Sequence, residues 1–263
     1  MNARESLEIV CSRAWPPVVE EPLGSWRLRW ADGFTGRANS VLAVGDPGRP
    51  VPEALRAVCD FAHVRGIQPM AQVRRDSPNE HAIAAAGWVE ATAHRRGHEV
   101  TVLTAPLATG RIFPRESDAS GPSNASFVTK VADEPTPGWW QLSLGADEDS
   151  PAARQVLTGG KVGYGVATLD GATAGVVRGA LVDDWLHVGR LEVGPGFRRR
   201  GLASALMGAL HTWGVEHGAG RAVLEVAEGN SGALALYAGL GYAPHHRYRY
   251  WVPAPGSCED STS

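Results

Sequence analysis

The sequence predicts an α/β protein: a mixed, mostly antiparallel, twisted sheet flanked by helices, preceded by a smaller α/β half domain. Two observations lead to this fold class. Beyond the middle of the chain, strand-like and helix-like segments follow one another in the order β-α-β-β-β-α-β-α-β. The first half repeats the later part of that order in shorter form. Strands joined by tight turns pair antiparallel, and strands joined through a helix pair parallel, so a mixed sheet with helices on its faces is expected.

The second half contains the clearer periodic segments. Alternating apolar residues, with the turn pair Asp170-Gly171 between two of the runs, predict strands and one hairpin. Leu202, Leu206 and Leu210 recur at helical spacing. We expect strands at Phe127–Val131, Val162–Leu169, Ala174–Val182, Trp185–Val193, Ala222–Val226 and Tyr248–Val252, and helices within 137–157, at Leu202–Glu216 and at Ser231–Leu240.

The first half has a similar but incomplete pattern. We expect strands at Trp26–Trp30, Phe34–Val44, Gln68–Val73 and Glu99–Leu103, and helices at Pro52–Val64 and Asn79–Ala86. Residues 44–48 (VGDPG) echo residues 193–196 (VGPG), and Gly87-Trp88 echoes Gly241-Tyr242. This alignment places Ile83 where Tyr237 stands. The half is interpreted as a degenerate tandem copy; a coincidental repeat of common elements stays open.

Composition divides the chain further. Residues 108–126 are rich in Pro, Gly and Ser and predict a linker between a domain at 1–107 and a domain at 127–252. The tail, 253–263, is expected to be disordered. The formal net charge of −3 argues against a nucleic-acid partner.

Cysteine usage and hydropathy bear on the compartment. Cys11, Cys59 and Cys258 are odd in number and widely spaced, so we expect no disulfide framework. There is no apolar run of membrane-spanning length and no signal-peptide core. These features predict a cytoplasmic protein without a membrane partner.

Two stretches carry the chemistry. Residues 193–203 (VGPGFRRRGLA) read as a strand, a turn and a helix start rich in Arg and Gly. Unpaired N–H groups and the positive end of the helix dipole suit a pyrophosphate there. Residues 230–237 (NSGALALY), followed by Gly241-Tyr242, place a tyrosine hydroxyl in a short helix after a polar Asn.

These motifs, in this order, resemble the GNAT superfamily of acyl-CoA-dependent N-acyltransferases over roughly residues 127–252. The shared pattern is Val-x-Pro followed by Arg198-x-x-Gly201-x-Ala203, then Asn-x-x-Ala-x-x-Leu-Tyr-x-x-x-Gly-Tyr. Ala203 stands where many members have glycine. The resemblance implies the GNAT fold, acetyl-CoA as acyl-donor substrate, and backbone contacts from the strand that ends at Val193. Candidate acetyl-CoA contacts are therefore Leu191, Glu192, Val193, Arg198, Arg199, Arg200, Gly201, Leu202, Ala203, Ser204, Asn230 and Tyr237.

The resemblance also implies catalytic roles. Family members place a tyrosine at the Tyr237 position beside the CoA sulfur, so Tyr237 is the candidate general acid. Glu225 has the spacing of the base in ribosomal-protein alanine N-acetyltransferases, and His187 lies near the base position of other members. A water chain or a base supplied by the substrate is also open. Period two places His187 and Val193 on one face, with Glu192 on the other unless a bulge intervenes.

Other residues are ambiguous. His94 and His98 lack acidic or cysteine neighbours, so no metal is expected. The run 245–250 (HHRYRY) could bind nucleic acid, but alternation more simply makes it a strand with a solvated face. Trp139 and Trp140 could contact the acceptor or pack in the core.

The expected function is transfer of an acetyl group from acetyl-CoA to a primary amine, on a small molecule or a protein, by direct attack in a ternary complex. Two alternatives stay open: a non-catalytic acetyl-CoA-binding module, and an acyltransferase that uses a larger acyl-CoA. The expected assembly is a monomer or a homodimer.

Overall fold

The computed structural model describes residues 3–94, 97–107, 127–256 and 258. The chain forms two compact units. Unit 1 comprises Met1–Val102, Val226–Ser231 and Pro244–Ser263, and unit 2 comprises Leu103–Glu225 and Gly232–Ala243. The expected linker lies outside the described residues, as does most of the expected disordered tail. Assignment of the two sequence halves to a degenerate and a catalytic domain stays a prediction.

Helices and strands are numbered in chain order. The first half contains α1 (Ala3–Ala14), β1 (Val19–Leu23), β2 (Trp26–Trp30), β3 (Val41–Leu42), α2 (Val51–Val64), β4 (Ala71–Arg74), α3 (Pro78–Ala85), β5 (Trp88–Glu90) and β6 (Glu99–Pro106). The second half contains β7 (Phe127–Ala132), α4 (Pro137–Glu148), α5 (Pro151–Thr158), β8 (Lys161–Leu169), β9 (Ala172–Val182), β10 (Trp185–Val193), α6 (Leu202–Glu216), β11 (Arg221–Ala227), α7 (Ser231–Gly239) and β12 (Ala243–Pro253).

Unit 1 is built on strands in the order β1-β2-β3-β4-β12, with β5 also beside β12. β3 and β4 are parallel, as expected for strands joined through a helix. The strand β12 pairs antiparallel with β4, Tyr248 lying opposite Arg74. The apolar core includes Trp26 and Ile83, both fully buried, together with Trp251 from β12.

A buried polar network lies within unit 1. The Arg29 guanidinium donates to Ser40 and to the Gln72 side-chain oxygen, at 2.8 Å for the latter. Gln72 in turn donates to Glu8, and Nε2 of His246 lies 2.6 Å from the other Glu8 oxygen. Burial lowers the pKa of Arg29 from its ordinary value, and the charge of Glu8 partly opposes this. The buried charges are thus paired, as their burial requires.

Unit 2 is built on strands in the order β11-β10-β9-β8-β7. All neighbours are antiparallel except β10 and β11, which are parallel. The helix α6 packs on one face, where the missing side chain of Gly179 leaves space for Leu210 and Leu186. On β9, the Val177 carbonyl accepts from the Trp139 indole of α4, and the Arg178 guanidinium donates to the last turn of α5. The predicted mixed, mostly antiparallel sheet flanked by helices is confirmed.

The structure corrects one predicted strand. Phe34–Val44 is a strand only at Val41–Leu42, because the chain turns through a short 3₁₀ helix at Arg37–Asn39. The buried Asn39 amide fixes this turn by accepting from the Ala31 and Gly33 N–H groups and donating to nearby carbonyls. Such local side-chain bonds offer the backbone an alternative to strand pairing.

The structure also corrects the expectation about cysteines. Cys59 in α2 and Cys258 near the C-terminus form a disulfide across 199 residues of sequence, a pairing that spacing alone could not reveal. Cys11 is buried and is not part of this disulfide. Among the described helices, none is long and apolar enough to cross a membrane.

Candidate active site

The strand β10 stops pairing with its parallel neighbour β11 part-way along its length. It pairs with β11 only from Trp185 to Val188, where Val188 lies opposite Leu224. On its other side the register with β9 shifts between Gly189 and Glu192, and Arg190 has a left-handed φ of 54°. This is a β-bulge, which bends the strand that carries it. The end of β10 therefore diverges from β11 and leaves its backbone on that side unpaired with the parallel strand.

An uncapped helix start follows directly. After Val193 the chain makes a 3₁₀ turn at Pro195–Phe197 and enters α6 through Gly201, whose φ is 78°. No side chain caps α6, so its first N–H groups are available to a ligand. This first turn contains the candidate contacts Leu202, Ala203 and Ser204.

Three arginines come directly before this helix start. Arg198, Arg199 and Arg200 are exposed. Arg198 Nε donates to the Val193 carbonyl at 3.2 Å, which ties the loop to the end of β10. Arg199 has a left-handed φ of 63°. Three cationic residues thus directly precede the helix N–H groups in the chain, a composition suited to phosphate oxygens.

Tyr237 lies in α7 and is 9% exposed. Its ring centroid is 5.8 Å from that of Tyr242. Burial, followed by the charge of Glu192, raises the pKa of Tyr237 to about 12. The hydroxyl of Tyr237 makes no hydrogen bond with any residue in the described ranges. Tyr237 is therefore a protonated donor at ordinary pH. The charge that acts on it, that of Glu192, lies at the bulged end of β10.

The two candidate bases form a single pair. His187 on β10 is 0% exposed and the Glu225 side chain on β11 is 2% exposed. His187 Nε2 lies 2.9 Å from Glu225 Oε2. Strand register explains the contact: His187 lies opposite Val223, and Glu225 is two residues further, on the same face. Sequence reasoning treated the two as alternatives, whereas the structure joins them.

Tyr237 and the His187–Glu225 pair belong to opposite faces of this sheet. Leu186 faces α6, so the neighbouring His187 side chain faces the side of α4. Tyr237 instead lies near Tyr242, which is hydrogen-bonded to His211 of α6. The divergence of β10 from β11 opens the sheet between these faces. A thioester held at this opening would have a proton donor on one side and a proton acceptor on the other.

The remaining predicted residues divide into two groups. Leu191 and Glu192 lie at the bulge, and Glu192 is exposed. Asn230 is exposed and precedes α7, with its N–H donating to the Ala227 carbonyl. Trp139 is 0% exposed, and its indole bonds the Val177 carbonyl, so it packs in the core and is not a substrate contact. Trp140 is half-buried, with the Arg154 guanidinium 4.6 Å above its ring.

Sequence reasoning missed one buried pair. Nε2 of His211 lies 2.7 Å from the hydroxyl of Tyr242, which supports the ring beside Tyr237. Only the Gly-Tyr motif signalled Tyr242. In the 245–250 run, alternation is as expected, but the inward face includes the buried His246. His94 and His98 bond separate partners, the Gly97 carbonyl and Glu90.

Comparison with known proteins identifies the family. Residues 3–251 match the model of the family described as "Probable histone acetyltransferase Rv0428c C-terminal". The chain belongs to this family. It is also 26% identical, over 95% of its length and 99% of the relative's, to the Uncharacterized N-acetyltransferase YobR of Bacillus subtilis (strain 168). It is thus an acetyltransferase of the GNAT type.

Solved structures share the fold over nearly the whole chain. A GCN5-related N-acetyltransferase from Kribbella flavida superposes with a TM-score of 0.68, at 17% identity and with 97% of each chain covered. A tandem GNAT protein from the clavulanic acid biosynthesis pathway superposes with a TM-score of 0.63, at 20% identity, over 93% of this chain and 86% of that one. At these identities the likeness shows the GNAT fold.

Proposed function

We propose that this protein transfers the acetyl group of acetyl-CoA to a primary amine by direct attack in a ternary complex. The observation that carries the proposal is the uncapped start of α6 directly after the bulged end of β10. The helix start and Arg198–Arg200 would bind the pyrophosphate. The edge of β10 near Val193 that is not paired with β11 would hold the pantetheine amides by strand-like hydrogen bonds.

The transfer step assigns a role to each group at the opening. The amine nitrogen attacks the thioester carbon, and the Val193 N–H stabilises the negative charge that develops on the carbonyl oxygen. Collapse of this intermediate breaks the C–S bond. The proton lost by the amine passes to the His187–Glu225 pair, directly or through water, and the Tyr237 hydroxyl faces the departing sulfur.

The pKa of Tyr237 defines what that hydroxyl does. At about 12, it is a weaker acid than a thiol, whose ordinary pKa is about 8.5. Full proton transfer to a free thiolate would therefore be uphill by several kcal/mol, at about 1.4 kcal/mol per pKa unit. Tyr237 accordingly stabilises the thiolate by a hydrogen bond while the C–S bond breaks, and any complete transfer requires a substrate-bound pKa lower than 12.

The base is proposed to be a pair rather than one residue. Both members are buried, so a protein-bound water is the natural relay to an acceptor amine. A proton taken up by His187 is stabilised by the adjacent Glu225 carboxylate. The acceptor class is a primary amine on a small molecule or on a protein chain.

Isothermal titration tests the donor site. Wild-type protein is titrated with acetyl-CoA and CoA beside Arg198→Glu, Arg200→Glu and the control Arg56→Glu. Arg56 is an exposed residue of α2 whose side chain makes no hydrogen bond with any described residue. We expect one saturable site in the wild type. Its affinity should fall about tenfold or more in Arg198→Glu and Arg200→Glu, because a charge-assisted phosphate contact is worth about 1.5–3 kcal/mol. Equal affinity in all four proteins would refute the pyrophosphate assignment, and absence of binding would refute the function.

A further inference from the structure

Unit 1 contains a cleft that the acetyl-transfer site does not use. It has a volume of about 330 Å³ and lies between the loop after β3 and the start of α3. β3 and β4 are parallel, and the cleft lies beyond their carboxyl ends. Clefts at this position in α/β sheets are common ligand sites. In unit 2 the corresponding place, beyond parallel β10 and β11, is the candidate active site.

The cleft of unit 1 does not have the chemistry of a pyrophosphate site. The helix α2 begins after Pro50 and has Pro52 in its first turn, and neither proline has an N–H to donate. The Glu53 N–H is already bonded to the Pro50 carbonyl, and the Glu53 carboxylate in the first turn would repel a phosphate. Ile83, which the sequence alignment places at the Tyr237 position, is fully buried. The cleft therefore suits a different class of ligand.

Opposite charges line this cleft without pairing with each other. The Arg74 guanidinium, at the end of β4, makes no hydrogen bond or ion pair with any residue in the described ranges. The Asp46 carboxylate accepts only from the Gly48 N–H, at 2.8 Å, and makes no ion pair within the same ranges. The half-buried Arg74 guanidinium can therefore pair with an anion that enters the cleft, and an Asp carboxylate can still accept further donors.

The rest of the lining is fixed in place. Asn79 donates to the Ala43 and Gly45 carbonyls, which holds the loop against α3 and leaves the amide oxygen as an acceptor. Glu8 is 2% exposed and held by Gln72 and His246, so the floor is anionic and preformed. The start of α3 is capped by its own Ser77 and Glu80, so the cation available to a ligand is Arg74.

We propose that this cleft is a second ligand site, for a small zwitterion of the amino-acid class. The ligand's carboxylate would pair with Arg74, and its ammonium group would lie between Asp46, the Asn79 amide oxygen and the Glu8 floor. Val44, Pro47 and Pro78 supply apolar surface for a short side chain. A monoanion would leave Asp46 without a partner, and a monocation would leave Arg74 without one.

The test uses matched probes on the full chain with the donor site saturated by CoA. L-alanine and L-leucine are titrated to about 10 mM, which detects millimolar dissociation constants. The controls are 4-methylpentanoate, which lacks the ammonium group of leucine, and 3-methylbutan-1-amine, which lacks the carboxylate. We expect the zwitterions to bind at least about tenfold more tightly than either control. Absence of binding, or equal binding of a control, would overturn the proposal.

Two conservative variants locate the binding. Arg74→Gln removes the cation, and Asp46→Asn removes the anion while keeping the oxygen that accepts from Gly48. Each is expected to weaken amino-acid binding about tenfold or more, whereas Arg56→Gln, on α2, leaves it unchanged. Binding that survives both variants would overturn the site. Because Arg74 and Asp46 lie in the unit 1 cleft and outside the proposed acetyl-transfer site, loss of binding in these two variants separates this cleft from the acceptor site, so the proposal stands or fails independently of the acetyl-transfer function.

Discussion

His187 Nε2 and Glu225 Oε2 lie 2.9 Å apart on the parallel strands β10 and β11, and both side chains are almost completely buried. The two residues are 38 positions apart in sequence, and only the register of the strands brings them together. Because the pair shares one hydrogen bond, neither residue can be changed without altering the other. The proposed catalytic base should therefore behave as a unit in mutagenesis and in pH profiles.

The first prediction concerns this pair. Glu225→Gln keeps a hydrogen-bonding side chain of the same size but removes the negative charge that stabilises a protonated His187. We expect kcat to fall about 100-fold or more, the range for loss of general base catalysis, with little change in the KM for acetyl-CoA. The measurement is steady-state kinetics with a saturating amine acceptor, across a pH series.

The matched control is Glu216→Gln. Glu216 is exposed at the end of α6, and its carboxylate makes no hydrogen bond with any described residue. Its replacement should leave kcat and the KM for acetyl-CoA unchanged. Glu225→Ala is expected to behave differently from Glu225→Gln and to lower stability by about 3–5 kcal/mol, because it leaves a buried partner behind. An undiminished kcat in Glu225→Gln would remove the pair from the mechanism.

Local signals made much of this site predictable. The strand Trp185–Val193 and the helix Leu202–Glu216 have the predicted bounds, because β alternation and helical apolar spacing are properties of neighbouring residues. The bulge at Arg190 was not predictable, since it is defined by the register with β9. The His187–Glu225 contact likewise depends on strand pairing. The packing of the Trp139 indole on β9 was not predictable either, because it depends on a contact between residues far apart in the sequence.

Non-local features of unit 1 were missed for the same reason. The Cys59–Cys258 disulfide joins residues 199 positions apart in the sequence. Tyr248 lies opposite Arg74 because β12 inserts beside β4, and nothing in the local pattern of either strand specifies that neighbour. His246 is buried because Glu8, from α1, pairs with it.

The second prediction concerns the proton donor. Tyr237→Phe is expected to bind acetyl-CoA with unchanged affinity and to lower kcat about 100-fold, because the departing sulfur loses its hydrogen-bond donor. The control is Tyr164→Phe. Tyr164 is a buried tyrosine of the same unit whose hydroxyl donates to the Leu157 carbonyl. The Tyr164→Phe substitution should lower the free energy of unfolding by about 1 kcal/mol without lowering kcat. Comparable kcat values for Tyr237→Phe and wild type would refute the donor role.

The third prediction follows from the raised pKa of Tyr237. The folded protein keeps the phenol proton up to about pH 12, whereas the unfolded chain releases it near pH 10. This contribution to stability is fully present below pH 10 and is lost as the pH rises from 10 to 12. At about pH 11 the loss should be about 1 kcal/mol.

Urea unfolding measures this effect. The free energy of unfolding is compared between about pH 8 and pH 11 for wild type and Tyr237→Phe. Wild type should lose about 1 kcal/mol more than the variant. The pKa of Tyr242 is raised first by burial and then by the charge of Tyr237; the larger, burial part is common to both proteins and cancels in the comparison. An identical loss in the two proteins would contradict the assigned pKa.

The last prediction tests whether the left-handed backbone conformation of Gly201, at the start of α6, is needed for acetyl-CoA binding. Gly196 serves as the control glycine. Gly201 has a φ of 78° and Gly196 does not have a positive φ, yet an added Cβ would meet no neighbour within 4 Å at either position. Gly201→Ala should therefore cost about 1–2 kcal/mol of stability or shift the helix start. Because that start is the proposed pyrophosphate cradle, the KM for acetyl-CoA should rise about tenfold, while Gly196→Ala should match wild type. Thermal unfolding and acetyl-CoA titration of both variants check this. A normal KM in a destabilised Gly201→Ala protein would show that the conformation serves folding and not donor binding.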